Sequence, residues 1–552
     1  MYAIRQSQVR HSSIWAAYGD AVGFVTELAD EDRVLHRAGE FPIRGTLGWR
    51  RKVGGRIGLT VDFPAGAYSD DTQLRLATSR AIRGDGSFDV AAFAKVELPA
   101  WANYALGAGV GSKEAAANLS RTSATWYSNF FKNQRASYFS GGGNGAAMRI
   151  QPHVWVAKNL EDLPTILKDV IRNAVCTHGH PRGIVGACFH AASLARAMFT
   201  GVAPALDDCA KLILRLGSIN EIVDDDTDLR LLWRGSWEDQ VGSSFSKSVD
   251  TVLRELQEDL EKLSIINLAD ANYAYNEAVD KLDLKNPISR GSGTKTSLLA
   301  SFAAQLNDHD PYQTIQTIVN CLGSDTDTIA TMAGAIIGSV SSKECKDDLQ
   351  DRDYIESEAT RLSLISSGKA QHSSLYPDLR SWKPARTALD AVSIQNGELN
   401  LNGIGPLSPL SRKVEQRSKD ENLHWFKLPF GQTVLARVRE EPLKNSGWQR
   451  SGSDRHPDRA EEPGGVVSRL PDLFANSPDK VGVAEAREIQ KPNANSLNET
   501  LHKVIASGFD PKLIGEVLLS QVRSGRPDFV EQSIALTATI MTAYEARRRR
   551  GK

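Results

Sequence analysis

The chain has 552 residues, 41% hydrophobic and 24% charged: too long for one ordinary core, and of a composition normal for a globular protein. Lys plus Arg (66) balances Asp plus Glu (67), which excludes a global field directed at nucleic acid or membrane. Five cysteines (Cys176, Cys188, Cys209, Cys321 and Cys345) without regular spacing argue against a disulfide framework and fit a reducing cytoplasm, the expected location.

In chain order, the N-terminal MYAIRQSQVRHSS has no apolar core of a signal peptide. The longest apolar stretch, 330–340, falls well short of the roughly 20 residues a membrane span requires, so no membrane association is expected. From residue 14 to about 367, apolar residues recur at helical spacing over 74–82, 89–105, 163–175, 184–198, 205–216, 249–263, 297–305 and 312–322. Strand-like alternation is scarce there, and the region is predicted all-α. The pattern changes after His372. Asn396-Gly397 between strand-like runs predicts a hairpin over 393–401, and 425–438 predicts a second strand–turn–strand unit. Residues 441–495 are rich in Pro, Gly, Ser and charge and read as a linker or disordered segment. Helical spacing returns over 497–546 and ends in a basic tail, Arg547 to Lys552. The expected division is a helical domain over 1–375, a small β-containing extension over 376–440, the linker, and a C-terminal helical segment with its tail over 496–552.

Two acidic segments stand out. Tyr68-Ser69-Asp70-Asp71-Thr72 runs into the helical QLRLATSRAI, and Gly323-Ser324-Asp325-Thr326-Asp327-Thr328 runs into IATMAGAIIGS. Capping explains one Asp, Ser or Thr at a helix start, where the dipole favours negative charge by up to about 1 kcal/mol. Two Asp with flanking hydroxyls, twice over, exceed what a cap requires. Four carboxylates brought together would repel, and hard cations with oxygen ligands are the natural compensation. A glycine-rich segment, Gly141-Gly-Gly-Asn144-Gly-Ala-Ala-Met148-Arg149, suits close approach of backbone N–H groups to phosphate, or else a flexible surface loop. Cys176-Thr-His178-Gly-His180-Pro-Arg182 ends a predicted helix, and Gly19-Asp20-Ala-Val-Gly23 precedes Glu27 by one turn.

Taken in order, GDAxG with its Glu, SDDT, GNGxxMR, THxHP and SDTDTxAxxxGAxxG resemble the ADP-ribosylglycohydrolase family, over Gly19 to Gly338. The resemblance implies an all-α bundle with a binuclear metal site in a central cleft. By similarity, Ser69, Asp70, Asp71, Asp325, Asp327 and Thr328 are the expected ligands of two divalent cations, Mg²⁺ or Mn²⁺. Ser69 stands where Thr is common and keeps the hydroxyl; Ser324 replaces the usual Gly. Gly143, Asn144, Gly145 and Met148 resemble the loop that holds the diphosphate and distal ribose. His178 resembles the residue that contacts the nucleotide half. Asp20 and Arg149 fit a structural ion pair as well as a functional role.

The reaction implied is hydrolysis of the bond joining ADP-ribose to a modified protein or nucleic acid, through an oxocarbenium-like transition state. Asp71 or Glu27 would accept the proton of the attacking water. The carrier is left open among arginine, serine, another side chain and a nucleic-acid base. The chain from Tyr376 on is expected to dock on the target or on a partner ADP-ribosyltransferase whose action the enzyme reverses. A non-catalytic ADP-ribose-binding or scaffold relative is the competing reading, disfavoured by four intact Asp. Metal-dependent phosphohydrolysis is a third, which leaves GNGxxMR unexplained.

Other segments are read as structural. Asp224-Asp-Asp-Thr-Asp228 is predicted to be a solvated loop. Arg290-Gly-Ser-Gly-Thr-Lys-Thr-Ser297 does not meet P-loop spacing and reads as a helix start. Cys176, His178, His180, Cys188 and His190 depart from zinc templates, with the last two expected inside a helix as core.

Overall fold

The structure is a computed structural model that describes residues 2–54, 58–140, 142–306, 310–410, 415–416, 421–439, 441–442, 503–523, 536–537 and 540. It has two compact units, Met1–Gly452 and Ser453–Lys552. The first unit forms α1 (Tyr2–Thr26), α2 (Glu31–Ala38), α3 (Asp70–Ala81), α4 (Val110–Leu119), α5 (Leu163–Val175), α6 (Pro181–Thr200), α7 (Phe245–Ser264), α8 (Gly293–Ala304), α9 (Thr326–Val340) and α10 (Arg352–Ser366), with further helices Leu206–Arg215, Ala271–Lys281 and Pro311–Val319 and shorter helical turns between them. The chain is helical, with one hairpin near its N-terminal side and small sheets toward its C-terminal side. Among the described residues no helix is long and apolar enough to cross a membrane.

Helix α9 is buried from Thr326 to Ser339, so it forms the axis of the core rather than an amphipathic wall. Its neighbour α1 lies against it, backbone to backbone. A methyl group on Gly334 would sit 2.3 Å from the Trp15 carbonyl oxygen, and one on Gly23 would sit 2.5 Å from the Asp327 Cα. These close approaches explain the glycines of both motifs as packing requirements, and they bring the end of α1 beside the start of α9. Cys188 and His190 lie buried inside α6, as expected.

Three local details differ from the sequence reading. The predicted helix over 89–105 is broken into Val90–Ala92, a π-helical turn Phe93–Glu97, and Leu98–Tyr104. An antiparallel hairpin, β1 (Trp49–Val53) with β2 (Leu59–Phe63), is added to the helical region. The segment 224–228 is exposed at Asp224, Asp225 and Thr227, as expected, but not at Asp226. Helix Ile219–Asp225 ends there, and the buried Asp226 accepts the backbone N–H of Leu229 at 3.1 Å and Arg172 Nε at 2.6 Å. A cation on α5 thus neutralises an acid that looks solvated when read locally.

The Asn-Gly hairpin is formed by β3 (Val392–Gln395) and β4 (Glu398–Leu401), with Asn396 and Gly397 at φ 51° and 85°, and β5 (Gly405–Pro406) extends the sheet. A second sheet joins β6 (Ser408–Pro409), β7 (Glu415–Gln416), β8 (Glu421–Lys427) and β9 (Thr433–Arg439), with β8 paired antiparallel to β9 throughout. Leu399, Leu401, Trp425, Phe426, Val434 and Leu435 belong to the same hydrophobic core as the helices. The extension therefore shares the core of the first unit instead of building its own. The second unit has α11 (Pro511–Arg523) and a small buried cluster of Val504, Phe509, Leu536 and Ile540. The expected linker, apart from 441–442, and the basic tail lie outside the described residues.

Candidate active site

Helix starts carry the acids. Ser69 is the N-cap of α3, its hydroxyl accepting Asp71 N at 3.3 Å, and Asp70 N donates to the Leu106 carbonyl at 2.8 Å. Asp20, buried on α1, reaches across to accept Ser69 N at 2.9 Å and Thr72 N at 2.8 Å. This one carboxylate fixes the whole turn that presents Asp70 and Asp71. At the other entrance Asp325 is the N-cap of α9, and Asp327 Oδ1 accepts Thr328 N at 2.9 Å. The two entrances, distant in sequence, touch: Thr328 Oγ1 donates to Asp71 Oδ1 at 3.3 Å.

A single cavity of about 620 Å³ is lined by Glu27, Asp70, Asp71, Asp325, Asp327 and Thr328 on one side, and by Gly143, Asn144, Gly145, Met148 and His178 on the other. Of the expected metal ligands, proton acceptors and substrate contacts, Ser69 alone stands behind this wall, fully buried. Asn144 joins the two sides, its Nδ2 donating to Asp325 Oδ2 at 2.9 Å. The backbone N–H of Asn144 is engaged by the Gly291 carbonyl at 2.9 Å, so its contribution to the site is the side chain. Glycine at 145 is required by close approach: a methyl there would lie 2.8 Å from Ser112 Oγ and 3.1 Å from His178 Cε1. Arg149 does not pair with Asp20. It is buried under the loop, donating to the Gly145 carbonyl at 2.9 Å and to Thr177 Oγ1 at 2.8 Å, and Thr177 Oγ1 in turn meets His178 Nδ1 at 2.7 Å. Burial, with Arg149 adding to it, holds the His178 imidazole down to about 3, so this ring is neutral at pH 7.

The electrostatics are severe. Burial, with Glu27 and Asp20 adding to it, pushes Asp70 well above the usual carboxylate range. Burial and the charges of Asp20, Asp70 and Asp325 do the same to Asp71, and burial with Glu27, Asp325 and Asp71 does so to Asp327. Glu27 is raised by burial and opposed by Arg51 on β1, whose Nη1 donates to Glu27 Oε2 at 2.5 Å. Arg37 on α2 donates to the Val25 and Glu27 carbonyls at 2.8 and 3.0 Å, pinning the end of α1. Asp71 Oδ2 is buried without a hydrogen-bond partner. Among the described residues no three Asp, Glu, His or Cys side chains are drawn into one tight cage. The donors facing the cavity from the two helix starts are nonetheless carboxylate and hydroxyl oxygens, the chemistry that suits a hard cation.

Sequence reasoning missed several contributors. Gly107 to Ser112, which run into α4, also line the cavity, as do Tyr138, Arg290 and Gly291. The triplet Gly107, Gly109 and Gly111 was the available signal. Arg51 and Arg75 were also missed. Arg75 is buried on α3 with Nη2 on Thr72 Oγ1 at 3.0 Å and its charge beside Asp20 and Asp71, and burial lowers it to about 10. A cation between Leu74 and Leu76, one turn past two acids, was its signature.

A helical fold with an acidic, oxygen-lined cavity facing a glycine-rich loop defines the class. The chain belongs to the ADP-ribosylglycohydrolase family, whose family model matches residues 1–370. It is also similar to a protein of Haloferax volcanii described as "Probable molybdopterin synthase", 28% identical over 117 residues, which are 21% of this chain and 42% of that protein. The chain thus spans less than half the length of that curated relative. A solved structure titled "ADP-ribosylglycohydrolase-related protein complex" matches with 18% identity over 66% of this chain and 99% of its own, at a TM-score of 0.41.

Proposed function

We propose that the chain hydrolyses the glycosidic bond joining ADP-ribose to a modified protein or nucleic acid, with two divalent cations, Mg²⁺ or Mn²⁺. The observation that carries this reading is the meeting of the two acidic helix entrances in one cavity, opposite the loop of Asn144. Buried carboxylates that raise one another's pKa, one with an unpartnered oxygen, fit bound cations better than a site for a neutral ligand. Held by Asp70, Asp71, Asp325, Asp327, Thr328 and the Ser69 hydroxyl, the cations would supply Lewis acidity toward the ribose hydroxyls and a more acidic water.

The protein's own groups do the rest. Asn144 orients Asp325, and Asp20 with Arg75 holds Thr72, the residue after Asp71, and through it the turn that presents Asp71. Gly143 and Gly145 let the diphosphate approach the backbone, and His178, kept neutral, offers the nucleotide half a polar contact without charge. Asp71 or Glu27 accepts the proton of the attacking water while the far side of the sugar loses its leaving group. Retention of every Asp argues for this over a binding-only relative. The chain beyond residue 440 is left to dock the target or a partner ADP-ribosyltransferase, because the sheets before it are built into the core.

The test is release of ADP-ribose from Arg-, Ser- and DNA-linked substrates with and without Mg²⁺ or Mn²⁺. Asp325→Ala is expected to abolish turnover. Full activity of that variant, or of the wild type in excess chelator, overturns the metal assignment.

A further inference from the structure

Residues 376–439 lie beyond the part of the chain that matches the family, yet two sets of contacts run from this extension to the acids of the cavity. The more direct one starts at Thr433, the first residue of β9 and buried. Its backbone N–H and its hydroxyl donate to Asp351 Oδ2 and Oδ1, both at 2.6 Å. Asp351 Oδ2 also accepts the Tyr68 hydroxyl at 2.7 Å. Tyr68, buried, is the residue before the Ser69 N-cap, two before Asp70 and three before Asp71. Asp351 holds a left-handed backbone, φ 58° and ψ 28°, a conformation that a non-glycine residue keeps only where its surroundings over-determine it. The second set is aromatic. Trp425 of β8 meets Phe63 edge to face at 5.9 Å, Phe63 stacks on Trp49 at 4.8 Å, Trp49 meets Phe24 at 5.0 Å, and the Arg51 guanidinium that grips Glu27 lies over Phe24 at 4.9 Å.

We propose that Thr433, acting through Asp351 and Tyr68, is a positioning residue for Asp70 and Asp71, so that this β-extension is a working part of the site instead of a module hung on it. The turn 68–72 is then held from both ends. Asp20 takes its amides from the α1 side, and the Thr433–Asp351–Tyr68 relay takes its aromatic anchor from the other. A carboxylate that accepts three short bonds has little freedom to shift, and the ring it holds cannot swing without moving the N-cap. The claim that the turn carries metal ligands rests on the reading given under Proposed function; the claim that the relay fixes the turn does not.

The experiment uses the full chain as wild type, Tyr68→Phe, Thr433→Val, Thr433→Ser and the Tyr68→Phe/Thr433→Val double variant. Amide hydrogen exchange over 69–72 is measured without metal, and Mn²⁺ affinity by electron paramagnetic resonance. Expected are faster exchange over 69–72 in Tyr68→Phe and Thr433→Val, Mn²⁺ binding weakened about tenfold in each, a double variant no worse than either single, and wild-type behaviour in Thr433→Ser. Unchanged exchange over 69–72 in both single variants, or a double variant whose losses multiply, overturns the relay. If Thr433→Val does not fold, Tyr68→Phe, which removes one oxygen and keeps the ring, decides by the same exchange. Wild-type protein that binds no Mn²⁺ overturns the metal reading of the site, while the exchange arm still judges the relay.

Discussion

Asp20, near the end of α1, and Glu27, the residue just past it, are about two turns apart, yet their surroundings assign them different work. Asp20 spends both oxygens on backbone amides of the α3 turn, so its role is to hold other acids in place. Glu27 faces the cavity with one oxygen tied to Arg51, and Asp71 faces it with one oxygen tied to Thr328 and the other unpartnered. A ligand and a general base are separable by experiment. Glu27→Gln and Asp71→Asn each remove one proton acceptor and preserve shape. If Glu27 is the base, Glu27→Gln should lose about 10²–10⁴ in kcat with Mn²⁺ affinity unchanged, whereas Asp71→Asn, which removes a ligand, should weaken Mn²⁺ binding whether or not it also removes the base. Titration of Mn²⁺ against both variants, beside single-turnover rates, reads the difference. If neither variant slows the reaction, the assignment of the base to this pair is wrong.

At the scale of elements, helices such as α5 and α7 were legible because burial repeats at helical spacing along them, and the Asn396-Gly397 hairpin because only a few residue pairs tolerate that turn. The hairpin of β1 and β2 was not. Its alternation puts Trp49, Arg51 and Val53 on the inner face, and Arg51 disguises the apolar side because its charge answers Glu27, a partner only the fold supplies. Asp226 was misread for the same reason: its cation, Arg172, is on another helix. The site residues were legible as short motifs, but the bonds that orient them, from Asp20, Asn144 and Asp351, join distant segments and leave no local pattern. The glycines of α1 and α9 give a prediction at this scale. Gly334→Ala drives a methyl against the Trp15 carbonyl and is expected to destabilise the protein by about 1–3 kcal/mol, with Mn²⁺ affinity retained. Gly23→Ala presses on the Asp327 backbone, so it should weaken Mn²⁺ binding in addition to stability. Denaturant unfolding and Mn²⁺ titration of the two variants check the contrast. Equal Mn²⁺ affinity in both would show that the α1–α9 contact does not set the position of Asp327.

For the molecule as a whole, the acids of the cavity make stability depend on pH and on cations together. Asp70, Asp71 and Asp327 have folded pKa values well above their unfolded ones, chiefly through burial, and Glu27 is raised as well. Over the window from the ordinary carboxylate range of about 4 upward to those raised values, the folded chain holds protons that the unfolded chain has released. Stability without metal therefore falls as pH rises through that window. Buried His153 and His190, both lowered to about 3, act oppositely below the ordinary imidazole range, since the unfolded chain takes up protons that the folded chain refuses. The histidine contribution is the same with and without metal and drops out of the difference between the two states. A cation replaces protons on the carboxylates, so it binds best where protons compete least. Each Mg²⁺ site, at about a hundred times its Kd, should stabilise the folded state by about 2.7 kcal/mol. At a fixed concentration the rise in Tm over a chelator control should be larger at pH 8 than at pH 5, and Asp71→Asn should shrink it at pH 8. Thermal melts of wild type and variant under those four conditions decide the matter: a Tm rise that is no larger at pH 8, or that survives intact in the variant, would mean that the buried acids are not what the cation binds.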